Sequence, residues 1–535
     1  MKRSLMLAAI VLGGALGAAA FAQGPAPGTG IAVPTAVDAN GYKYWTPNST
    51  LMTNRTTESQ IRGIVVNILR SGNGLTENRI VFDNFYNLYI FPKLTLTTDE
   101  ALAILPQERF KFFRDHLEIC AHADARTVHE HLADLALTQM QQVVKDNFHP
   151  VVRYNAMLLI ASLNDQDPVR VGAAREIPKP MQRALPVLLA EFDRPENTDA
   201  IRAAALIGLV RHLEWDSFNA TQPLAPPQKA AAVKALLSLA TQKTPPAGRN
   251  AGGHEWFRRR AIEGLAHAGY NKVEPAVATA MDAMLKDDAE SVPIRCAVAA
   301  AIGKMTYQAP AVLAAQPTAL EMGRLAVVAC DQELTRVANM KKLEEERASR
   351  LAGDLGNQPG LGLGGGEGTR RPPGGMPVRP PAGGGEGILG LGGQDLLAED
   401  PKQYRVDYVR RKIRAQLDAI QTGLVPRDAN DKVRGVKNAA KIPADATYVS
   451  DVKNDVDALA KAIESAEGKD LASLEIELRL LMKPLETKTR KAGAAPAPAP
   501  ADVPGDLPAP VGPAPMPPVA APPAPVPPPV PAPAG

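Results

Sequence analysis

The stretch AIRAAALIGLVRHL, residues 200–213, decides the fold. It reads as a helix with one apolar face, yet Arg202 sits near its start. The same arrangement recurs in VVRYNAMLLIASL (151–163), WFRRRAIEGLAHAG (256–269) and PIRCAVAAAIGKM (293–305). Each segment follows another helical run: ARTVHEHLADLALTQMQQVVKD (125–146), PKPMQRALPVLLAEF (178–192), PPQKAAAVKALLSLATQ (226–242) and EPAVATAMDAMLKDD (274–288). Val277, Met281, Met284 and Leu285 fall on one helix face, as do Val233, Leu236, Leu237 and Ala240. Prolines open several runs, which suits a first helical turn. Asp199, Glu255 and Glu290 precede Arg202, Arg258 and Arg295 and suit the N-termini of the second helices.

Four helix pairs in series predict an all-α chain with an α-solenoid pattern. Here the sequence resembles the HEAT-repeat family. The resemblance lies in Val152-Arg153…Ala156, Ile201-Arg202…Ala205…Gly208-Leu209, Phe257-Arg258…Ala261…Gly264-Leu265 and Ile294-Arg295…Val298…Ala301-Ile302. Leu185-Pro186-Val187-Leu188-Leu189 also looks like the proline-bearing first helix of such repeats. The repeats are expected over residues 125–316. The spacing departs from a strict period: Arg153 to Arg202 is 49 residues, Arg202 to Arg258 is 56, and Arg258 to Arg295 is 37. The resemblance implies that Arg153, Arg202, Arg258 and Arg295 are structural. Each would lie near the start of an inner helix and pair with acidic groups or carbonyls of the adjoining repeat, because a partly buried guanidinium needs such partners. Arg258-Arg259-Arg260 admits two readings: a basic stripe that binds an anion, or one inward arginine and two solvated ones.

Outward from the repeats the pattern changes. Residues 23–56 read as poorly ordered coil with an aromatic spot at Tyr42, Tyr44 and Trp45. Residues 57–124 read as a helical cap, with Phe82, Phe85, Tyr86, Tyr89 and Phe91 covering the exposed end of the first repeat or offering an aromatic docking site. Residues 317–351 read as one long helix, and 352–397 as a disordered Gly/Pro-rich insertion. Helical periodicity returns over 398–490, a bundle or terminal repeat, and 491–535 is a Pro/Ala-rich tail suited to polyproline II. That tail is a spacer, a ligand for a proline-binding module, or plain disordered chain.

The N-terminus has the layout of an export signal over residues 1–22. Lys2 and Arg3 precede an apolar run, and Ala20-Phe21-Ala22 fits the small-x-small cleavage rule. No later segment has the uninterrupted apolar length of a membrane span. The formal charge of +3 lacks the concentrated basic face of a nucleic-acid binder. Three cysteines, Cys120, Cys296 and Cys330, are too few for a disulfide framework. Cys296 and Cys330 fall on neighbouring helices, so one bridge is conceivable, and buried free thiols are the other account.

Catalytic and cofactor motifs are lacking: there is no G-x-S-x-G, H-E-x-x-H or C-x-x-C, and GLGLGGGEG follows no strand and lacks Gly-Lys-Ser/Thr. One constellation holds donor chemistry. His116, Cys120, His122, His129 and His131 lie within sixteen positions. His116 and Cys120, spaced i,i+4, can share a metal on a helix, whereas His129 and His131, spaced i,i+2, diverge. The expectation is an exported, non-enzymatic protein without a cofactor, periplasmic or secreted. It would act as a protein–protein scaffold whose unidentified partners bind the solenoid surface. The alternatives are a metal-binding accessory protein using His116–His131 and an envelope structural protein acting through its tail.

Overall fold

A computed structural model describes residues 33–356 and 401–490, apart from 168–169, 172–173, 176–177, 220–222, 309–311, 426–430, 432 and 466–468. Residues 1–22, read above as an export signal, residues 23–32, the expected insertion from 357 to 397 and the tail 491–535 lie outside the described residues. The chain divides into Met1–Thr489 and Arg490–Gly535, and every element below belongs to the first unit. The fold is all-α. Among the described residues, strands occur only as three two-stranded ladders of two or three residues per strand.

The N-terminal part runs through β1 (Thr35–Val37), β2 (Lys43–Trp45), α1 (Ser49–Thr53), α2 (Arg55–Ser71), α3 (Arg79–Phe85) and α4 (Asp99–Phe112). Helices α3 and α4 continue into π-helical turns, Tyr86–Ile90 and Phe113–Leu117. Phe82, Phe85, Tyr86, Phe91 and Phe112 are all fully buried in this cap. The expectation of coil over 23–56 fails for its described part. Trp45 is 1% exposed and meets Phe148 edge-on at 5.5 Å. The Trp45 amide donates to Thr95 Oγ1 at 2.8 Å, and the Lys43 amide to the Asn147 carbonyl at 2.8 Å. One deeply buried indole orders this segment, and a single anchor leaves no periodicity to detect.

Helix pairs follow: α5 (Arg126–Lys145) with α6 (Pro150–Ser162), α7 (Ala184–Asp193) with α8 (Asp199–Phe218), α9 (Pro226–Thr241) with α10 (Ala251–Ala268), and α11 (Pro275–Lys286) with α12 (Val292–Lys304). The predicted helix over 178–192 begins only at Ala184, because Lys179–Pro180 pairs antiparallel with Asn164–Gln166. This excursion from 164 to 183 lengthens the interval between Arg153 and Arg202.

The second helices form one row. α6 packs on α8, α8 on α10 and α10 on α12. The row does not end at the fourth pair. The long helix α13 (Ala315–Gly356) packs against α14 (Pro401–Leu424), and α12 packs on α14. After the short α15 (Gly435–Ala439), α16 (Pro443–Glu464) packs on α14 and α13, and α17 (Leu471–Thr489) packs on α16 and α13. Two glycines permit the close approaches. A Cβ on Gly264 would lie 2.6 Å from Leu236 Cδ1, and one on Gly303 would lie 2.0 Å from the Thr422 carbonyl oxygen. Cys120, Cys296 and Cys330 are buried and unbridged. Among the described residues no helix is long and apolar enough to cross a membrane.

Candidate interaction face and its arginine staples

The four recurring arginines share one geometry. Arg153 Nε donates to the Val144 carbonyl at 2.9 Å, Arg258 Nε to Ala240 at 2.8 Å and Arg295 Nε to Leu285 at 2.9 Å. Arg202 reaches the Arg194 carbonyl through Nη2 at 2.9 Å. Every acceptor sits at the C-terminal end of the preceding helix, where carbonyls have no intrahelical donor and carry the negative end of the helix dipole. Each guanidinium thus caps the first helix of its own pair.

The remaining nitrogens reach forward. Arg153 Nη2 donates to Asn197 Oδ1 at 3.2 Å, and Arg258 makes a bidentate pair with Glu290 at 2.8 and 2.6 Å. Asn197 and Glu290 lie in the inter-helix turns of the next pair, each five residues before that pair's own arginine. Glu290 was expected to serve the N-terminus ahead of Arg295; it faces back to Arg258 instead, because a buried cation draws the nearest carboxylate. The matching position before Arg258 is Gly253, which has no side chain. Accordingly Arg202 Nε is buried without a hydrogen-bond partner among the described residues. At that junction Arg249 and Asp199 form the link, at 2.6 and 2.8 Å, and this pair holds the Asp199 carboxyl below its usual range. Arg295 closes the series on Asp288 at 3.1 Å and on Glu321 of α13 at 3.9 Å.

The run Arg258-Arg259-Arg260 resolves into one buried arginine and two with local carboxylates, Glu255 for Arg259 and Glu263 for Arg260. The row also presents a different set of side chains. Phe218, at the end of α8, is 55% exposed, and its ring lies 5.8 Å from that of Tyr270. The Arg434 guanidinium stacks 3.4 Å from the Tyr270 centroid. His267 on α10 is held below its ordinary pKa by burial; Glu214 of α8 and Glu263 oppose that shift, while Lys304 of α12 and Arg260 reinforce it.

The five-residue donor cluster is dispersed. His116 Nδ1 meets the Tyr86 hydroxyl at 3.0 Å, and its ring stacks on Phe112. Burial, with Arg62 adding to it, pushes His116 down to about 4. The Cys120 thiol donates to the carbonyls of His116 and Leu117 at 3.3 Å, and burial pushes it up to about 12. His122 sits at the turn before a short 3-10 segment. His129 Nε2 pairs with Asp167 at 2.9 Å and His131 Nε2 with Asp83 at 2.5 Å. Among the described residues no three of these groups converge to hold a metal. The i,i+4 argument for His116 and Cys120 fails because the chain changes there from π-helical to 3-10 winding, which removes the α-helical stacking.

Sequence reasoning missed the buried network that His129 joins. Asp167 accepts from Asn164 Nδ2, and Asn164 Oδ1 accepts from Arg211. Arg211 also donates to the Ala161 and Leu163 carbonyls at 3.1 and 3.2 Å. These residues come from α5, the 164–183 excursion and α8, so no local spacing signals them. No family model matches the chain, and no curated protein matches it.

Proposed function

We propose that this chain is an exported, non-enzymatic HEAT-like repeat protein that scaffolds protein–protein interactions in the cell envelope, periplasmic or secreted. The observation that carries the proposal is the row of second helices from α6 to α16, stapled pair to pair by Arg153, Arg258 and Arg295. Stacked pairs of this kind offer a long surface over which binding spreads across many side chains. The recurring motif Val/Ile/Phe-Arg…Ala, with Gly208 and Gly264 at the same step, supports the family resemblance. The apolar run behind Lys2 and Arg3 supports export.

The test is in-cell crosslinking of the full chain, followed by capture and mass spectrometry. A defined partner crosslinked to residues of α6, α8, α10 or α12 is the expected result. Crosslinks confined to 491–535 would overturn the proposal in favour of a tail-driven envelope role.

A further inference from the structure

Helix α17 is apolar on two opposite sides. Leu474, Leu478, Met482 and Leu485 are buried, and the helix packs on α16 and α13. Turned about half a circle from them, Ala472, Ile476, Leu480 and Pro484 recur every fourth residue as one ridge, and all four are exposed. Ile476 is 72% and Leu480 64% exposed, the two most exposed large apolar side chains among the described residues. Single apolar residues scattered on a surface need no explanation, but these two stand on successive turns of one helix. A helix that is apolar on opposite sides is normally covered on both.

An occupant is within reach in the same chain. The Arg336 guanidinium of α13 lies 5.3 Å from the Tyr408 ring of α14, and Glu333 pairs with Lys412, so α14 runs antiparallel to α13. Asp331 pairs with Arg479 of α17 at 3.3 Å, and a Cβ on Gly323 would lie 3.1 Å from Leu485 Cδ1, so α17 runs antiparallel to α13 as well. Both helices therefore start at the same end of α13. Counted along α13, Pro401 stands about 15 Å beyond Ile476. Two interhelical steps of about 10 Å and the far side of α17 bring the path to roughly 30 Å, which about nine extended residues span. Leu391, Leu389 and Ile388 stand ten to thirteen residues before Pro401. They lie outside the described residues; their apolar character and their distance from Pro401 put them in range of the ridge. We propose that the ridge Ala472–Ile476–Leu480–Pro484 is a docking surface for residues 388–391 of the same chain, with Ile388, Leu389 and Leu391 packed on Ile476 and Leu480. Gly390, Gly392 and Gly393 have no Cβ to hold the backbone off the ridge. The inference is independent of the scaffold reading. It makes α17 a peptide-binding surface whose own occupant any partner's apolar segment has to displace.

The test puts the photo-crosslinking residue p-benzoyl-phenylalanine in place of Leu480 in the full chain, mixed with an isotope-labelled second copy. Crosslinks from position 480 to residues 386–397 of the same copy are the expected result, and an I388S/L389S/L391S variant should lose them. Crosslinks to the labelled copy, to 491–535, or to nothing outside α13, α16 and α17 overturn the proposal. The triple variant also leaves the ridge bare, so a fluorescein-labelled peptide of residues 386–397 should bind it in anisotropy measurements. Adding I476S/L480S should weaken that binding at least tenfold, as two large apolar side chains are withdrawn from the contact. Both positions are exposed, so the serines should leave the melting temperature unchanged. A peptide that does not bind, or that binds equally with and without Ile476 and Leu480, also overturns the proposal.

Discussion

Replacing Glu290 with alanine isolates the staple between the third and fourth pairs. Arg258 is 5% exposed and Glu290 is 7% exposed. The two form a bidentate contact at 2.8 and 2.6 Å, and among the described residues the only other Arg258 bond is to the Ala240 carbonyl at 2.8 Å. Glu290→Ala therefore strands a buried guanidinium with one neutral acceptor, and breaking such a pair costs about 3–5 kcal/mol. The double variant Arg258→Met/Glu290→Leu removes the charge with the partner and should return most of that loss. Arg202→Met provides the contrast. Among the described residues Arg202 has one carbonyl acceptor, a buried unpaired Nε and no carboxylate partner, so its removal should cost no more than about 1 kcal/mol. Urea unfolding followed by circular dichroism gives the totals, and native-state hydrogen exchange localises the loss to α9–α12, because stacked repeats open in parts. The staple argument is refuted if Glu290→Ala costs less than Arg202→Met, or if the double variant is as unstable as the single one.

Gly303→Ala should destabilise the α12–α14 junction by about 1–3 kcal/mol despite the better helix propensity of alanine, because the new methyl lies 2.0 Å from the Thr422 carbonyl; unchanged urea stability would show that α14 is not seated there. Acid should weaken the cap. His116 is held near 4 by burial, below the ordinary 6.5, so its contribution is present above about pH 6.5 and is lost as the pH falls toward 4. That contribution amounts to roughly 3 kcal/mol at most. His212 and His267 shift in the same direction, so a His116→Phe variant should show a shallower but not flat stability–pH profile, and parallel profiles would contradict the assignment. Zinc should leave the melting temperature unchanged, since the five donors do not converge among the described residues; a clear rise in calorimetry would contradict this.

Much of the helical framework was legible from local spacing alone. Apolar residues recurring every three or four positions mark the helices of all four pairs, and Arg202, Arg258 and Arg295 stand out because each occupies one step of that pattern. Even the glycines at 208 and 264 fall at a constant offset from their arginines. These features depend on residues within a few turns of each other, and periodicity records that range. The partners of the arginines did not show in this way. Asn197 and Glu290 hold a constant place five residues before the next arginine, but they serve the arginine of the pair before, 44 and 32 residues away.

Tertiary structure decided the rest. The row extends through α14 and α16 although residues 357–400 separate α13 from α14 in the sequence, since the packing of α14 on α12 is set by matching surfaces and not by chain distance. Trp45 orders a segment that composition marks as coil, because one indole buried against Phe148 needs no repeat to announce it. Five donor residues crowded along the chain are drawn apart, His116 to Tyr86, His129 to Asp167 and His131 to Asp83, because each polar group, once removed from water, takes the nearest partner the fold supplies. Periodicity reports only which face of a helix is apolar; the partners that its polar groups meet are set by the elements packed against that face.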